Sequence, residues 1–314
     1  MNRKAVVWVA LCLIWGSTWL FIKLGLEDLP PISFAGIRFL IATIVLLLVV
    51  RVRGLALPNT RKDWLLILST GILSFTLNYG LLFWGEARTT SGLAAILQTI
   101  IPVFGLVIAH YHLPNERMTW AKVSGVLLGI AGIVIIFSHS LSGESSEGFA
   151  GSVAIVIGAF CVAYSNVFVK ARGTHLDPAV LAAGQMACGF VPLLAAGWAF
   201  EGSPFSFHWT ARAVFSLGYL ALVGSCCAFL LFYWLVRHMD VTKTMLISLV
   251  TPVLAVLLGL WWLDEQVTWR VGIGALSIMA GIALHIYSSK RMLHSNRFAT
   301  PPVAAVIETD FESG

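Results

Sequence analysis

One stretch of this chain occurs twice, and that duplication constrains the fold more than any other feature of the sequence. The first copy runs through Pro102, Glu116 and a Thr-Trp pair into a glycine-spaced apolar segment. The second copy runs through Pro252, Glu265 and another Thr-Trp pair into a segment of the same kind. The copies are 150 residues apart at the prolines and 149 at the glutamates. A repeat in such close register indicates a duplicated unit of about half the chain.

The composition places both copies in a membrane. Of the 314 residues, 58% are hydrophobic and 11% are charged, with a mean hydropathy of +0.88, whereas soluble chains carry roughly 25% charged residues. A helix needs about 20 apolar residues to cross a bilayer. Charge-poor runs of this kind predict ten transmembrane helices, at about 5–25, 31–50, 64–85, 90–110, 119–138, 150–170, 178–199, 213–236, 244–262 and 270–288.

The distribution of Lys and Arg predicts the orientation of these helices. With the N-terminus inside, 15 of the 20 Lys and Arg residues fall on inner segments, four fall on outer segments, and Arg38 lies within a span. This positive-inside bias places both termini in the cytoplasm. Each half contains an odd number of helices, so the second half enters the membrane from the opposite side. Such inverted repeats are typical of secondary transporters, in which one half rocks against the other.

The predicted fold class is therefore an all-α membrane protein with ten transmembrane helices in two inverted five-helix repeats. The first repeat occupies residues 1–140 (helices 1–5), and the second occupies residues 141–289 (helices 6–10). The segment 290–314 turns polar and is predicted to be a disordered cytoplasmic tail.

Several classes of function lack their sequence signals. The basic excess does not form a basic face interleaved with aromatic residues, so we expect no nucleic-acid partner. The five cysteines lie inside apolar segments without metal-ligand spacing, and we expect no metal and no cofactor. Neither a His-Glu-x-x-His zinc motif nor a phosphate-binding P-loop is present, so we expect no enzyme activity.

Three short motifs near the N-terminus resemble a known family. They are Ile14–Gly25 (IWGSTWLFIKLG), Leu29-Pro30-Pro31 and Ala35–Leu40 (AGIRFL), and with the doubled Pro…Glu…Thr-Trp…Gly pattern they look like the EamA family of the drug/metabolite transporter superfamily. The resemblance covers about residues 5–288. It implies a ten-helix inner-membrane permease with a central cavity, usually an exporter of amino acids or related small metabolites.

Arg38 is the charged residue that lies well inside a predicted span, about eight positions after Pro30 and so roughly 10 Å deep. Charge inside a membrane is costly and indicates a functional site by default. The guanidinium is suited to bind a solute carboxylate through two parallel hydrogen bonds. The alternative is structural: Arg38 reaches the interface or bonds a carbonyl and holds helices together.

Neutral polar side chains near the middle of the spans are the other candidates for binding a solute. Aromatic rings there can enclose a solute side chain, and amides can bond its polar groups. The alternative is that hydroxyls and amides bond across helices and only hold them together. The residues that we expect to contribute to a binding and translocation site, besides Arg38, are Ser17, Thr18, Trp19, Asn78, Tyr79, Gln98, Tyr164, Ser165 and Asn166.

The prolines and the charges at helix ends form a last group of candidates. Pro102 and Pro252 each remove a helical hydrogen bond, so we expect kinks or hinges that can expose backbone carbonyls. Lys23 and Lys170 occupy matching places at the ends of helices 1 and 6, where a cation favours the negative helix end; the alternative is a role in gating. Glu116 and Glu265 precede helices 5 and 10, whose positive ends favour a carboxylate. The recurring glycines predict close packing of helices.

These observations favour a secondary transporter that exports amino acids or related metabolites by alternating access across a bacterial inner membrane. The expected partners are a small-molecule solute and the lipid bilayer, and a monomer is compatible with the sequence. One alternative is a proton-coupled multidrug exporter, although no Asp or Glu lies at mid-span and Glu86 is the nearest carboxylate. An alternative from another class is a channel or receptor-like membrane protein.

Overall fold

The computed structural model of the chain describes residues 3–137 except 90, 115 and 117, residues 146–262, and single positions 273, 274, 276, 277, 280, 281 and 284. Throughout this part of the chain the regular structure is helical, without a β-strand. The helices are α1 Arg3–Leu26, α2 Pro31–Val52, α3 Arg61–Gly71, α4 Tyr79–Glu86, α5 Ser91–Gln98, α6 Ile101–His112, α7 Trp120–Phe137, α8 Ser146–Arg172, α9 Pro178–Glu201, α10 Ala211–Ala221, α11 Ala228–His238, α12 Val241–Met245 and α13 Ile247–Trp262.

Threonine side chains cap the N-termini of α3 and α10, which are corresponding helices of the two halves. The Thr60 hydroxyl accepts a hydrogen bond from the backbone N–H of Asp63 at 3.1 Å at the start of α3. Thr210 does the same for the N–H of Ala213 at 3.0 Å at the start of α10, 150 residues later. Each threonine satisfies one of the N–H groups that a helix start leaves without a helical partner.

Six continuous helical rods are long and apolar enough to cross a membrane: Arg3–Leu26, Pro31–Val52, Arg61–Glu86, Glu147–Arg172, Pro178–Glu201 and Ala211–His238. Shorter apolar helices cover Ile101–His112, Trp120–Gly132 and Val241–Leu254. Large apolar side chains on these helices, such as Leu48, Trp198 and Phe215, are exposed on the outer face. Because this surface is unsuited to water, the protein is a multi-pass membrane protein.

Two of the long rods contain a π-helical segment at the same place in each half. In the first half Ile72–Asn78 joins α3 to α4, and in the second Leu222–Cys227 joins α10 to α11. The segments begin 150 residues apart, which is the spacing of the sequence repeat. A π segment widens the helix locally and shifts its hydrogen-bond register, and such segments are frequent at functional sites.

The two halves of the chain are interlocked. Helix α1 packs against α10, α11 and α13, all from the second half, and α8 packs against α3, α4, α5 and α6, all from the first half. Helix α2 lies along α9, its counterpart in the second half. The first helix of each half therefore sits among the third and fourth helices of the other half, and any central space receives walls from both.

The observed helix bounds agree with seven of the predicted runs to within four residues. The runs at 90–110 and 244–262 are different, because each is divided into two helices, at residues 99–100 and at Leu246. The run at 270–288 lies outside the described residues except at the seven single positions, and the segment 290–314 lies outside them entirely. One predicted glycine contact is present: a Cβ on Gly281 would meet the carbonyl oxygen of Gly125.

Candidate functional site

The interlocked halves enclose a central cavity of about 120 Å³. Its walls come from α1, α2, the end of the first π segment, α4, α5 and α6 in the first half, and from α8, α11, α12 and α13 in the second. Seven of the residues that the sequence proposed for binding line it: Thr18, Trp19, Arg38, Asn78, Tyr79, Gln98 and Asn166.

Arg38 is 1% exposed, and two nitrogens of its guanidinium are anchored to the second π segment. Its Nε donates to Ser225 Oγ at 2.8 Å, and its Nη2 donates to the carbonyl oxygen of Gly224 at 3.2 Å. The guanidinium carbon lies 5.1 Å from the ring centre of Tyr79. Nη1 has no hydrogen-bond partner among the described residues. We expected the guanidinium to bind a solute carboxylate through two parallel hydrogen bonds. Two of its nitrogens instead bind the second π segment, and only Nη1 remains for a solute.

The second π segment provides the acceptors for this anchor. The carbonyl oxygen of Gly224 accepts a second hydrogen bond, from Trp15 Nε1 at 3.3 Å. The Ser225 hydroxyl donates to the carbonyl of Leu220 at 2.9 Å, so its lone pairs are oriented toward Arg38. The second π segment therefore binds both Arg38 and Trp15, and both residues line the cavity.

The remaining polar groups of the cavity are neutral. Asn78 Oδ1 accepts from Gln98 Nε2 at 3.4 Å, which joins the first π segment to the end of α5. Thr18 lines the wall, but its hydroxyl donates back to the carbonyl of Trp15 at 2.7 Å. Across the described lining no Asp or Glu is present. The cavity therefore carries one positive charge, from Arg38, and a set of amides and hydroxyls.

Both divided helices are interrupted at the cavity. Gln98 and Ile101 flank the first interruption, Met245 and Ile247 flank the second, and all four line the cavity. In transporters, interrupted helices of this kind surround the solute site at the middle of the membrane.

Each of the two prolines removes a helical hydrogen-bond donor four residues after a residue of this wall. In a helix the carbonyl of Gln98 would accept from residue 102 and that of Ser248 from residue 252, and both donors are replaced by proline. Gln98 and Ser248 both line the cavity. Pro102 is the second residue of α6, just after the interruption, whereas Pro252 lies within α13, six residues after Leu246.

Three of the proposed binding residues lie outside this cavity. Ser17 Oγ donates to the carbonyl of Ile14 at 2.8 Å and lies 2.6 Å from the Tyr219 hydroxyl. Ser165 Oγ accepts from Ser74 Oγ at 2.7 Å, so it links α8 to the first π segment. These two contacts are the bonds between helices that we held as the alternative.

Tyr164 is the third proposed binding residue outside the cavity. It packs against His112 and Phe168, with ring centres 5.9 and 5.8 Å away. It is therefore part of an aromatic cluster between α6 and α8.

The proposed charges at helix ends have partners that differ from those expected. Lys170 Nζ donates to the carbonyls of Val236 and Met239, at 2.6 and 2.9 Å, so it binds the C-terminal end of α11 and not that of its own helix. Lys23, its counterpart, is exposed. Both cations lie near helix ends, and neither is among the lining residues of the cavity.

Glu116 binds the start of another helix. Its Oε1 accepts from the N–H of Val241 at 2.8 Å, and its Oε2 accepts from the N–H and the hydroxyl of Thr242 at 3.1 and 3.0 Å. The carboxylate thus favours the positive end of α12, whereas we expected it to favour that of helix 5. Glu265 lies outside the described residues.

The sequence missed the apolar part of the cavity and most of its second-half wall. The additional lining residues are Trp15, Ile22, Leu82, Ile101, Val162, Phe229, Phe232, Thr244, Met245, Ile247, Ser248 and Thr251. The 150-residue repeat offered one usable signal, since it relates Gln98 to Ser248. For Phe229 and Phe232 no such signal exists, because apolar residues occur throughout every span.

Interlocked apolar halves, two interrupted helices and a central cavity with a few polar groups are together typical of a multi-pass membrane transporter. The model of the EamA-like transporter family matches residues 3–138 and again residues 149–287. The chain belongs to this family and contains two EamA-like segments.

Relatives of the chain carry transporter names. It is 31% identical to the uncharacterized transporter YoaV of Bacillus subtilis over 284 residues, which covers 90% of this chain and 96% of the relative. It is 32% identical to the uncharacterized inner membrane transporter YedA of Escherichia coli, covering 80% and 79%. It is 25% identical to an Escherichia coli protein named "probable amino-acid metabolite efflux pump", covering 91% and 96%.

A solved crystal structure has the same fold. It superposes with a TM-score of 0.79 over 93% of this chain and 99% of that chain, at 19% identity.

Proposed function

We propose that the protein is a secondary transporter that exports small metabolites carrying a carboxylate, amino acids foremost, across a bacterial inner membrane by alternating access. The observation that carries the proposal is the buried cavity, whose walls come from both halves and which holds one positively charged side chain with a free nitrogen. The relatives named as an amino-acid metabolite efflux pump and as an inner membrane transporter support the solute class and the location.

The chemistry of the cavity suits an amino acid. Arg38 lines the cavity and its Nη1 has no partner among the described residues, so this nitrogen can donate to a carboxylate. Such charge-assisted bonds are about twice as strong as neutral ones. The carbonyls of Gln98 and Ser248, which lack their helical donors, and the oxygen of Asn78 can accept from an ammonium group. The aromatic wall, including Phe229, can enclose an apolar side chain.

The size of the cavity favours a metabolite over a drug. A cavity of about 150 Å³ accepts a benzene ring, and the value here is about 120 Å³. Drug-sized ligands occupy pockets of roughly 300–1,000 Å³. In this conformation a drug-sized solute would need a cavity several times larger, whereas the smaller amino acids require the least enlargement.

The transport cycle follows from the repeat. We take residues 1–140 and 141–289 as two inverted repeats with both termini in the cytoplasm, which rock about the cavity. At one end of the bundle Asp28 accepts from Arg212 Nη2 at 3.1 Å, which joins the two halves. At the other end Glu116 holds α12. Opening toward either side requires one set of contacts to separate.

Counterflow in liposomes that contain the purified protein tests the proposal. With a panel of labelled amino acids we expect exchange of one chemical subset. In the Asn78→Ala variant the apparent affinity should fall about 2- to 10-fold, because one neutral hydrogen bond is lost. Ser17→Ala is the matched control, since its hydroxyl lies outside the cavity.

Two results would refute the proposal. A folded protein that exchanges none of the amino acids would exclude this solute class. Ohmic current in a planar bilayer, far above the rate of a conformational cycle, would indicate a channel.

A further inference from the structure

Glu86 is a buried carboxylate that the proposed solute site does not use. It is the last residue of α4 and is 2% exposed. Among the described residues neither Oε1 nor Oε2 has a hydrogen-bond partner. By contrast Glu116, the other buried glutamate in the described part of the chain, receives three hydrogen bonds. Glu86 therefore does not act as a helix cap, and the burial of its carboxylate needs another explanation.

The charged groups around Glu86 leave it uncompensated. Lys23 from α1 acts on it electrostatically, but that side chain is exposed and makes no direct ion pair with it in the described part of the chain. Arg88 turns back onto its own helix, where it stacks on Trp84 at 3.8 Å and donates to the Trp84 carbonyl at 2.9 Å. Glu147 at the start of α8 is exposed.

The other neighbouring elements add no counter-charge. The Glu201 carboxylate of α9 accepts from the N–H groups of Ile32 and Ser33 at 2.9 and 2.7 Å. Arg38, the buried cation of α2, is anchored to the second π segment. Helix α5 contains no ionisable residue between Ser91 and Gln98.

The position of Glu86 connects the central cavity with the surface. Leu82, one helical turn earlier on α4, lines the cavity, and Ile22, next to Lys23, lines it as well. Ala87 and Arg88, directly after Glu86, line a pocket at the end of the bundle. Glu86 thus lies between the solute cavity and the surface at that end.

We infer that Glu86 is the proton-binding residue that couples transport to a pH gradient. An isolated carboxylate in a low-dielectric interior costs far more free energy than the neutral acid. In this conformation Glu86 therefore holds a proton. When the other conformation exposes the side chain, the acid releases the proton and becomes a carboxylate. The coupling of Glu86 to transport rests on the proposed function, but the protonation of Glu86 can be measured without a solute.

The first experiment is infrared difference spectroscopy of the full chain in liposomes, with pH as the only variable. We expect a carboxylic-acid carbonyl band at neutral pH that is present in the unmodified protein, absent in Glu86→Gln and unchanged in Glu147→Gln. The glutamine keeps the shape of the neutral acid, so the variant should fold. Absence of the band from the unmodified protein at neutral pH would overturn the inference whether or not transport is found.

The second experiment measures uptake in the same liposomes, using the amino acid that exchanges fastest in counterflow. A gradient of one pH unit can drive up to about a tenfold accumulation per coupled proton. We expect Glu86→Gln to lose this accumulation and to keep counterflow at equal pH on both sides, and Glu147→Gln to keep both. Accumulation by Glu86→Gln equal to that of the unmodified protein would overturn the inference. Absence of any exchange by the unmodified protein would instead count against the proposed function.

Discussion

Replacement of Arg38 by Met separates the two roles that Arg38 can have. The variant removes a guanidinium that donates to Ser225 and Gly224, lines the cavity and leaves Nη1 without a partner among the described residues. Methionine fills a similar volume without charge and adapts to irregular space. A structural role predicts a loss of stability, and a role in solute binding predicts a loss of affinity.

The effect on stability should be small, because two large contributions oppose each other. Each of the two anchoring bonds has a charged donor and contributes about 1.5–3 kcal/mol. Against this, burial of a guanidinium without a counter-ion costs several kcal/mol, which the methionine does not incur. Gly224 keeps its hydrogen bond from Trp15, and Ser225 keeps its bond to Leu220. We expect the free energy of unfolding to change by no more than about 2 kcal/mol in either direction.

The effect on affinity should be larger. A single charged hydrogen bond from Nη1 to a solute carboxylate contributes about 1.5–3 kcal/mol, so its loss should raise Kd about 10- to 150-fold. The assays are counterflow competition in liposomes for Kd and a thermal melt in detergent for stability. Ser225→Ala is the control, since it removes one anchor but leaves Nη1 in place. An unchanged Kd together with a clearly lower Tm would refute solute binding by Arg38 and leave the structural role.

Three further predictions concern stability. Glu116→Gln should lower Tm, because the loss of charge weakens the interaction with the helix start by about 0.3–1 kcal/mol, and an unchanged Tm in low salt would contradict this. Asp28 accepts hydrogen bonds from Thr210, the larger effect, and from Arg212, and these bonds hold the pKa of Asp28 below its ordinary value. The carboxylate therefore stabilises the folded protein above about pH 3.9, and this stabilisation disappears as the pH falls through the folded-state pKa. An acid titration of Tm should therefore show a smaller decrease in Asp28→Asn than in the unmodified protein. Gly281→Ala should lower Tm or disrupt folding because its Cβ would meet backbone, whereas Gly218→Ala, with open space around it, should not, and equal effects would count against the helix contact.

The sequence determines the helical rods and their repetition for a simple reason. Crossing a bilayer requires about 20 apolar residues in a helix, so the runs at 31–50 and 178–199 can be recognised from composition alone. The internal spacing of 150 residues then relates the two halves without any coordinates. The structure also contains features at that spacing that the sequence does not predict, namely the π segments at Ile72–Asn78 and Leu222–Cys227. Neither π segment can be recognised from composition, because both lie inside apolar runs that are typical of a continuous α-helix.

The tertiary structure alone decided which residues meet. Arg38 stands out in the sequence because charge is rare in a span, but its partners Gly224 and Ser225 are 186 and 187 residues away. Thr18 and Ser165 are similar in sequence context, yet the first lines the cavity and the second bonds Ser74 across helices. Both residues lie on the first helix of their half, so their difference depends on which face of that helix meets the neighbouring helices. The hydrophobic pattern fixes that a helix lies in the membrane, whereas the face that it turns toward the cavity depends on contacts with chain that is distant in sequence.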